Sequence, residues 1–212
     1  MLIVHHLGIS QSERIIWLCE ELGITYELKV YDRDPVTRLA PAAYKALHPL
    51  GTAPIITDDE VVLPESGAIM EYIIGKYGNG RLTVGPDQPN FADYLFWFHF
   101  ANGSFMPSQM AVMLMAQPDA QVGAFGEFLL ARSETAWRLV EQRLGEASYL
   151  AGEAFTAADI IMGFPLTTLR AFITKSLGDL PNIRAYLQRI GERPAYRRAM
   201  KKGDPEMSPM LG

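Results

Sequence analysis

The sequence predicts an α/β domain followed by an all-helical domain, and three observations carry that expectation. Before residue 78, short β-like runs alternate with helical patterns. Between 78 and 89 the chain is rich in Gly, Pro and Asn, the composition of an interdomain linker. Beyond 89 every periodic segment is helical. The chain therefore divides into residues 1–79, a linker at 80–89, and residues 90–212.

Each element follows from its local pattern. Leu2–Val4 is an unbroken apolar run, as in a strand buried on both faces. Ile15, Leu18, Cys19 and Leu22 fall at i, i+3, i+4 and i+7, and Gly23 stands where a helix C-cap belongs. Ile24, Tyr26, Leu28 and Val30 alternate with polar residues, predicting a strand with one buried face. A short helix is expected over Pro41–Leu47, and a hairpin from Ile55–Thr57 and Val61–Leu63 around Asp58-Asp59-Glu60. Ile69, Met70, Ile73 and Tyr77 form the stripe of a helix stopping at Gly78. The order β-α-β-α-β-β-α implies a mixed four-stranded sheet with helices on its faces. In the second part, helices are expected at about 90–115, 123–144, 156–174, 181–190 and 194–202.

Bulk properties narrow the function classes. A net charge of −5 offers no basic footprint for nucleic acid or an anionic membrane. The basic stretch Arg193–Lys202 is short and reads as a solvated helix face. The one cysteine, Cys19, excludes an internal disulfide framework and a Cys-rich zinc site, and its place on an apolar stripe makes it a core residue. No apolar run approaches the ~20 residues of a membrane span, and the N-terminus lacks a signal-peptide pattern. The expectation is a cytoplasmic protein without a metal.

Three constellations carry chemistry. Thr52-Ala53-Pro54 opens the third strand after His48-Pro49-Leu50-Gly51; by itself it is turn punctuation. Glu65-Ser66 precedes the third helix, where a serine caps the helix or, with the free N–H groups, holds a carboxylate. Phe155-Thr156-Ala157-Ala158-Asp159-Ile160 contains a capping box, Thr156 with Asp159, and the two hydrophobic-staple positions, Phe155 and Ile160. In this order and spacing, the three resemble the cytosolic glutathione S-transferase family over roughly residues 2–198. The stretches Arg33-Asp34-Pro35 and His48-Pro49-Leu50-Gly51 are similar to a bacterial and fungal subgroup.

The resemblance implies a thioredoxin-like first domain that holds glutathione and a helical second domain that shapes the second-substrate site. It implies a cis peptide before Pro54, with Thr52, Ala53 and Pro54 presenting backbone groups to the tripeptide. Ser66 would bind the γ-glutamyl carboxylate and Glu65 would help hold the γ-glutamyl amino group. It also implies a homodimer, a role in detoxification, and glutathione as co-substrate with no metal.

Glutathione's thiol, with a pKa near ~8.5, must be made a thiolate. A shift of ~2 units needs about 2.7 kcal/mol, within the ~1.5–3 kcal/mol of a hydrogen bond to a charged group. Family members place that donor in the first β–α loop, here Leu7–Ser12. Aligning Arg14 with the arginine after the active serine of theta-like members puts Ser10 at the donor position, with Ser12 as runner-up. Ser10 also opens Ser10-Gln11-Ser12-Glu13, a capping box, so the two roles stand side by side. His5 and His6 end the first strand on opposite faces, either packing there or one of them bordering the site, and His48 either stabilises its turn or approaches glutathione, with packing and the turn as the first readings. Helical spacing and family analogy place Phe98, Asn102 and Met106 on the second-substrate pocket, which suits small electrophilic, largely apolar substrates. The alternatives are a glutathione-dependent peroxidase or disulfide reductase on the same fold, and a non-catalytic interaction module.

Overall fold

A computed structural model describes residues 1–117, 119 and 122–212. The chain forms two compact units, 1–82 with 191–209, and 83–190 with 210–212.

The first unit holds β1 (Leu2–Leu7), α1 (Glu13–Leu22), β2 (Glu27–Tyr31), α2 (Ala42–Lys45), β3 (Ile55–Asp58), β4 (Val61–Pro64) and α3 (Ser66–Lys76). The sheet runs β2-β1-β3-β4. β1 pairs parallel with β2 (Val4 with Leu28) and antiparallel with β3 (Val4 with Ile56), and β3 and β4 form the expected hairpin. This is the mixed thioredoxin-like sheet. The alternation predicted for β2 weakens at its end: Val30 is 51% exposed, whereas Tyr31 is buried. β2 is an edge strand, so its neighbours cover less of it.

The stripe of α1 is buried as predicted, and so are Ile16 and Trp17 beside it. Their cover is the last helix of the chain, α9 (Pro194–Gly203), which packs along α1. The Tyr196 ring meets Trp17 edge-on at 4.9 Å. Arg193 pairs with Glu21 at 2.7 Å, and Arg198 pairs with Glu20 at 2.8 Å. The basic segment expected to face solvent is thus partly spent on the acidic edge of α1. Division by sequence pattern keeps 90–212 together, whereas packing joins 191–209 to the first unit. Gly23 ends α1 at φ 61°, its N–H bonded to Cys19 O. Gly78 ends the α3 segment where a Cβ would lie 2.9 Å from Ile74 O, so only glycine fits.

The second unit is helical: α4 (Phe91–Phe100), α5 (Met106–Met115), α6 (Ala124–Glu146), α7 (Ala157–Leu166) and α8 (Pro181–Glu192). The helix expected at 90–115 is α4 and α5 joined by a π-helical turn, Ala101–Phe105. Trp137 anchors the interior of this unit, its ring 4.9 Å from that of Phe105 and its indole N–H donating to Gln109 Oε1. Thr156 and Asp159 form the predicted capping box. Among the described residues no helix is long and apolar enough to cross a membrane.

Candidate active site

The site residues predicted in the first unit gather at the ends of β1, β3 and β4. β1 delivers His5 and His6, and the chain then turns through Gly8–Ser12 into α1. This loop is pinned from two distant segments. Arg33 donates from Nε to Gly8 O at 2.7 Å and from a terminal nitrogen to Ile9 O at 3.0 Å. Asp204, just after α9, accepts the Ile9 N–H through Oδ1 at 2.8 Å. Ile9 sits at φ 51°, a left-handed conformation that the clamps hold in place.

The two loop serines lie against each other. Their Oγ atoms are 2.7 Å apart, and the Ser12 N–H donates to Ser10 Oγ at 3.3 Å. Ser10 retains 7% exposure, Ser12 none. Helix α1 begins at Glu13 with Ser12 at its N-cap position, and the Ser12 side chain makes no cap hydrogen bond. Its hydroxyl points back into the fold instead, accepting from the Leu7 N–H at 3.2 Å and lying 2.8 Å from His6 Nδ1. On its other side, His6 Nε2 is 3.2 Å from Asp204 Oδ2. Burial pushes the Asp204 carboxyl up, but the bond to His6, the Ile9 N–H and Arg33 outweigh it and hold it below the usual range.

Arg14, fully buried in the first turn of α1, joins this loop to α3. It donates to Ser66 Oγ at 3.1 Å and to Gln11 Oε1. Burial lowers its guanidinium to about 9, against an opposing effect of Glu13. Ser66 is the first residue of α3 and is buried. Glu65 before it is exposed, with φ 72° and ψ 114°, a strained non-glycine conformation that costs of order 1–3 kcal/mol. The strain turns the chain so that the first N–H groups of α3 are presented beside Ser66.

The Ala53–Pro54 peptide is cis. Pro54 is buried and Ala53 packs on the cluster of Leu7, Tyr31, Tyr44 and Ile55, which sets this turn against the end of β1. Thr52 is exposed. His48 Nδ1 accepts the Leu50 N–H at 3.2 Å, a turn-stabilising bond. His5 is held between Tyr31 OH and Thr57 Oγ1, at 2.9 and 3.0 Å. Cys19 lies in the interior, its thiol pushed up by burial.

In the second unit, Phe98 on α4 and Met106 at the start of α5 are buried, and Asn102 is half-buried. The π turn between them changes the rotation per residue, so 98, 102 and 106 do not keep the single stripe of an ideal α-helix. Among the described residues no three His, Cys, Asp or Glu side chains gather as metal ligands.

Sequence reasoning missed Asp204 and Arg33 as site residues, set a site role for His6 second to packing, and used Arg14 only as an alignment mark. Asp204 has no local signal, being 195 residues from its partner Ile9. A histidine two residues before a Gly-containing loop with two serines was the one available hint for His6.

A family described as "Glutathione S-transferase, N-terminal domain" matches residues 10–74, and "Glutathione S-transferase, C-terminal domain" matches 129–194. Glutathione S-transferase 3 of Schizosaccharomyces pombe is 35% identical, the match covering 95% of this chain and 88% of the relative. A crystal structure of a glutathione S-transferase from Actinobacillus pleuropneumoniae shares 33% identity, covers 98% and 97% of the two chains, and has a TM-score of 0.87. A sphingomonad glutathione S-transferase complexed with glutathione, 20% identical with a TM-score of 0.75 over 95% of this chain and 98% of that one, shares the fold.

Proposed function

Because this chain belongs to the glutathione S-transferase family, we propose that it makes the thiolate at Ser10 and adds it to small, largely apolar electrophiles. It is a glutathione transferase with glutathione as co-substrate. In our reading glutathione lies extended between the Thr52-Ala53-Pro54 turn and the start of α3. Its γ-glutamyl carboxylate meets Ser66 and the helix N-terminus, and its amino group meets Glu65. Phe98, Asn102 and Met106, although the π turn takes them off a single stripe, border the second-substrate site from the helical unit.

One observation carries the choice of Ser10. Both serines are buried, but Ser10 alone keeps a trace of exposed surface, 7% of the residue, while Ser12 has none and is engaged with Leu7 and His6. A thiol arriving from solvent meets Ser10 first, and Ser12 supports it from behind. The theta-like serine loop is part of this reading, as are a homodimer, a cytoplasmic location and a detoxifying role. The relatives carry transferase names, which does not favour a peroxidase, a reductase or a non-catalytic module.

The test is the pH dependence of thiolate absorbance of bound glutathione. Ser10→Ala should raise the bound thiol's pKa by about 1–2 units, the worth of one charged hydrogen bond. An unchanged pKa in Ser10→Ala, with a rise in Ser12→Ala, would move the assignment to Ser12. A monomer by light scattering at micromolar concentration would remove the dimer.

A further inference from the structure

We propose that Ser10, Ser12, His6 and Asp204 form a proton relay in which His6 receives the proton of the glutathione thiol. The inference rests on the reading that the thiol sits at Ser10, and it adds where the proton goes. The four groups are in sequence: Ser10 Oγ to Ser12 Oγ 2.7 Å, Ser12 Oγ to His6 Nδ1 2.8 Å, His6 Nε2 to Asp204 Oδ2 3.2 Å.

Two hydrogen arrangements satisfy both serines and His6 Nδ1, while His6 Nε2 faces Asp204 Oδ2 at 3.2 Å as an ion-pair contact outside hydrogen-bond geometry. Ser12 Oγ has one hydrogen and two lone pairs. One lone pair takes the Leu7 N–H at 3.2 Å, and Leu7 O, at 3.5 Å, is the weaker competitor for its hydrogen. In the first state His6 is neutral, its proton on Nε2 facing the Asp204 carboxylate and Nδ1 bare. Ser12 then donates to Nδ1 and accepts from Ser10, so the Ser10 hydrogen points inward and its oxygen faces outward as an acceptor for the thiol S–H. In the second state His6 is imidazolium. Nδ1–H donates to Ser12, Ser12 donates to Ser10, and the Ser10 hydrogen points outward at a thiolate.

One concerted shift converts the first state into the second. The thiol proton goes to Ser10 Oγ, the Ser10 proton to Ser12 Oγ, and the Ser12 proton to His6 Nδ1. The S–H bond breaks, an N–H bond forms, and each hydroxyl ends as it began, with one hydrogen. The product is a thiolate already facing a donating hydroxyl, with the imidazolium charge balanced by Asp204. When the sulfur's electron pair enters the new bond to carbon, the shift runs backwards. The proton then leaves Ser10 for the departing group or the carbanion, and His6 is neutral again.

The surroundings suit this role. Imidazole is the side chain that changes charge near neutral pH. The ring is completely buried, so bulk water does not compete for its nitrogens, and a Cβ added to Gly203 would lie only 3.2 Å from Nε2. Its facing charge is Asp204 from the end of α9; Arg33 acts on that carboxylate from beyond β2. Asp204 also holds the Ile9 N–H, which ties the loop carrying Ser10 to the group that stabilises the acceptor. His6 and Asp204 touch no substrate and are positioning residues for the thiol chemistry.

The experiment is nitrogen NMR of the histidine rings in the whole protein, with His6 assigned by elimination using His5→Asn, His48→Asn and His99→Asn. At a pH where the free ring is neutral, glutathione should protonate both His6 nitrogens, whereas S-methylglutathione, which has no thiol proton, should leave the ring neutral. A ring that stays neutral while thiolate absorbance forms overturns the relay and leaves the Ser10 assignment standing. A ring already doubly protonated without ligand from about pH 6 to 9 overturns it too, because the acceptor would be occupied. Loss of the thiolate effect in Ser10→Ala is the separate check on the underlying reading. His6→Asn keeps a polar group but takes no proton, and should lower the thiolate-to-thiol ratio about tenfold, a shift of about one pKa unit. Asp204→Asn should act in the same direction with a smaller shift. Wild-type behaviour of a folded His6→Asn in the thiolate titration would end the proposal, and the ring measurement on the unsubstituted protein decides it should that variant fail to fold.

Discussion

Asp159→Ala should cost the protein a large part of its stability. The carboxylate is completely buried at the start of α7 and serves four donors. Oδ1 accepts the Leu150 N–H at 3.0 Å and the Tyr186 hydroxyl at 3.1 Å. Oδ2 accepts the Thr156 N–H at 2.8 Å and the Thr156 hydroxyl at 3.2 Å. Alanine strands two buried backbone N–H groups and a phenol, each costing about 1–3 kcal/mol unpaired. With partial relaxation the loss should be about 3–5 kcal/mol, the size seen when one side of a buried charged network is removed. Against a total of about 5–15 kcal/mol that is severe. Asparagine keeps one acceptor oxygen but turns an amide N–H towards the Thr156 N–H, for a loss of about 1–3 kcal/mol. Tyr186→Phe removes a single bond and should cost about 1 kcal/mol. Burial pushes this carboxyl up to about 6 while its hydrogen bonds pull it down, so the comparison belongs above about pH 7, where it is ionised. Urea unfolding followed by tryptophan fluorescence, to which Trp97 and Trp137 of the same unit and Trp17 of the first contribute, gives the ranking. A loss under about 1 kcal/mol for Asp159→Ala would refute the reasoning, since the stranded donors must then have found other partners.

Asp58 sets an acid limit on the first unit. Burial alone would raise its carboxyl, but Lys76, Tyr77, Tyr72 and the amino terminus outweigh it and hold it below the usual range. A carboxyl depressed in the folded state stabilises fully above the ordinary value of about 4 and loses that contribution as pH falls through the folded value. Asp58→Asn should therefore flatten the acid side of a stability-pH curve, and an unchanged slope would contradict it. Gly203→Ala would set a Cβ 3.0 Å from Ile16 Cδ1 and 3.2 Å from His6 Nε2. It should lower stability by roughly 1–3 kcal/mol through overpacking, read as a drop in melting temperature. Cys19, buried with its thiol pushed up, should resist thiol reagents until the protein unfolds, and Cys19→Ala should conjugate glutathione at the wild-type rate.

Elements whose stabilising partners lie close in sequence were legible from the chain alone. The stripe of α1 with its Gly23 cap, the hairpin of β3 and β4, and the Thr156–Asp159 box each depend on residues within one or two turns of each other. The Ala53-Pro54 and Glu65-Ser66 segments were likewise visible as motifs, although the strained backbone at Glu65 was not. The π turn at Ala101–Phe105 was also hidden, because the same apolar pattern suits a continuous α-helix.

Composition, periodicity and capping residues by themselves determined the fold class and the order of elements, because those signals act over short stretches of chain, whereas the loop proposed for the thiol donor came from the family resemblance. Only the tertiary structure decided which buried serine keeps a trace of surface, that α9 closes over α1, and that Asp204 meets both Ile9 and His6. These pairings join residues almost two hundred positions apart, and no local propensity encodes them. They arise because burying the apolar faces of α1 and α9 together brings their polar ends along.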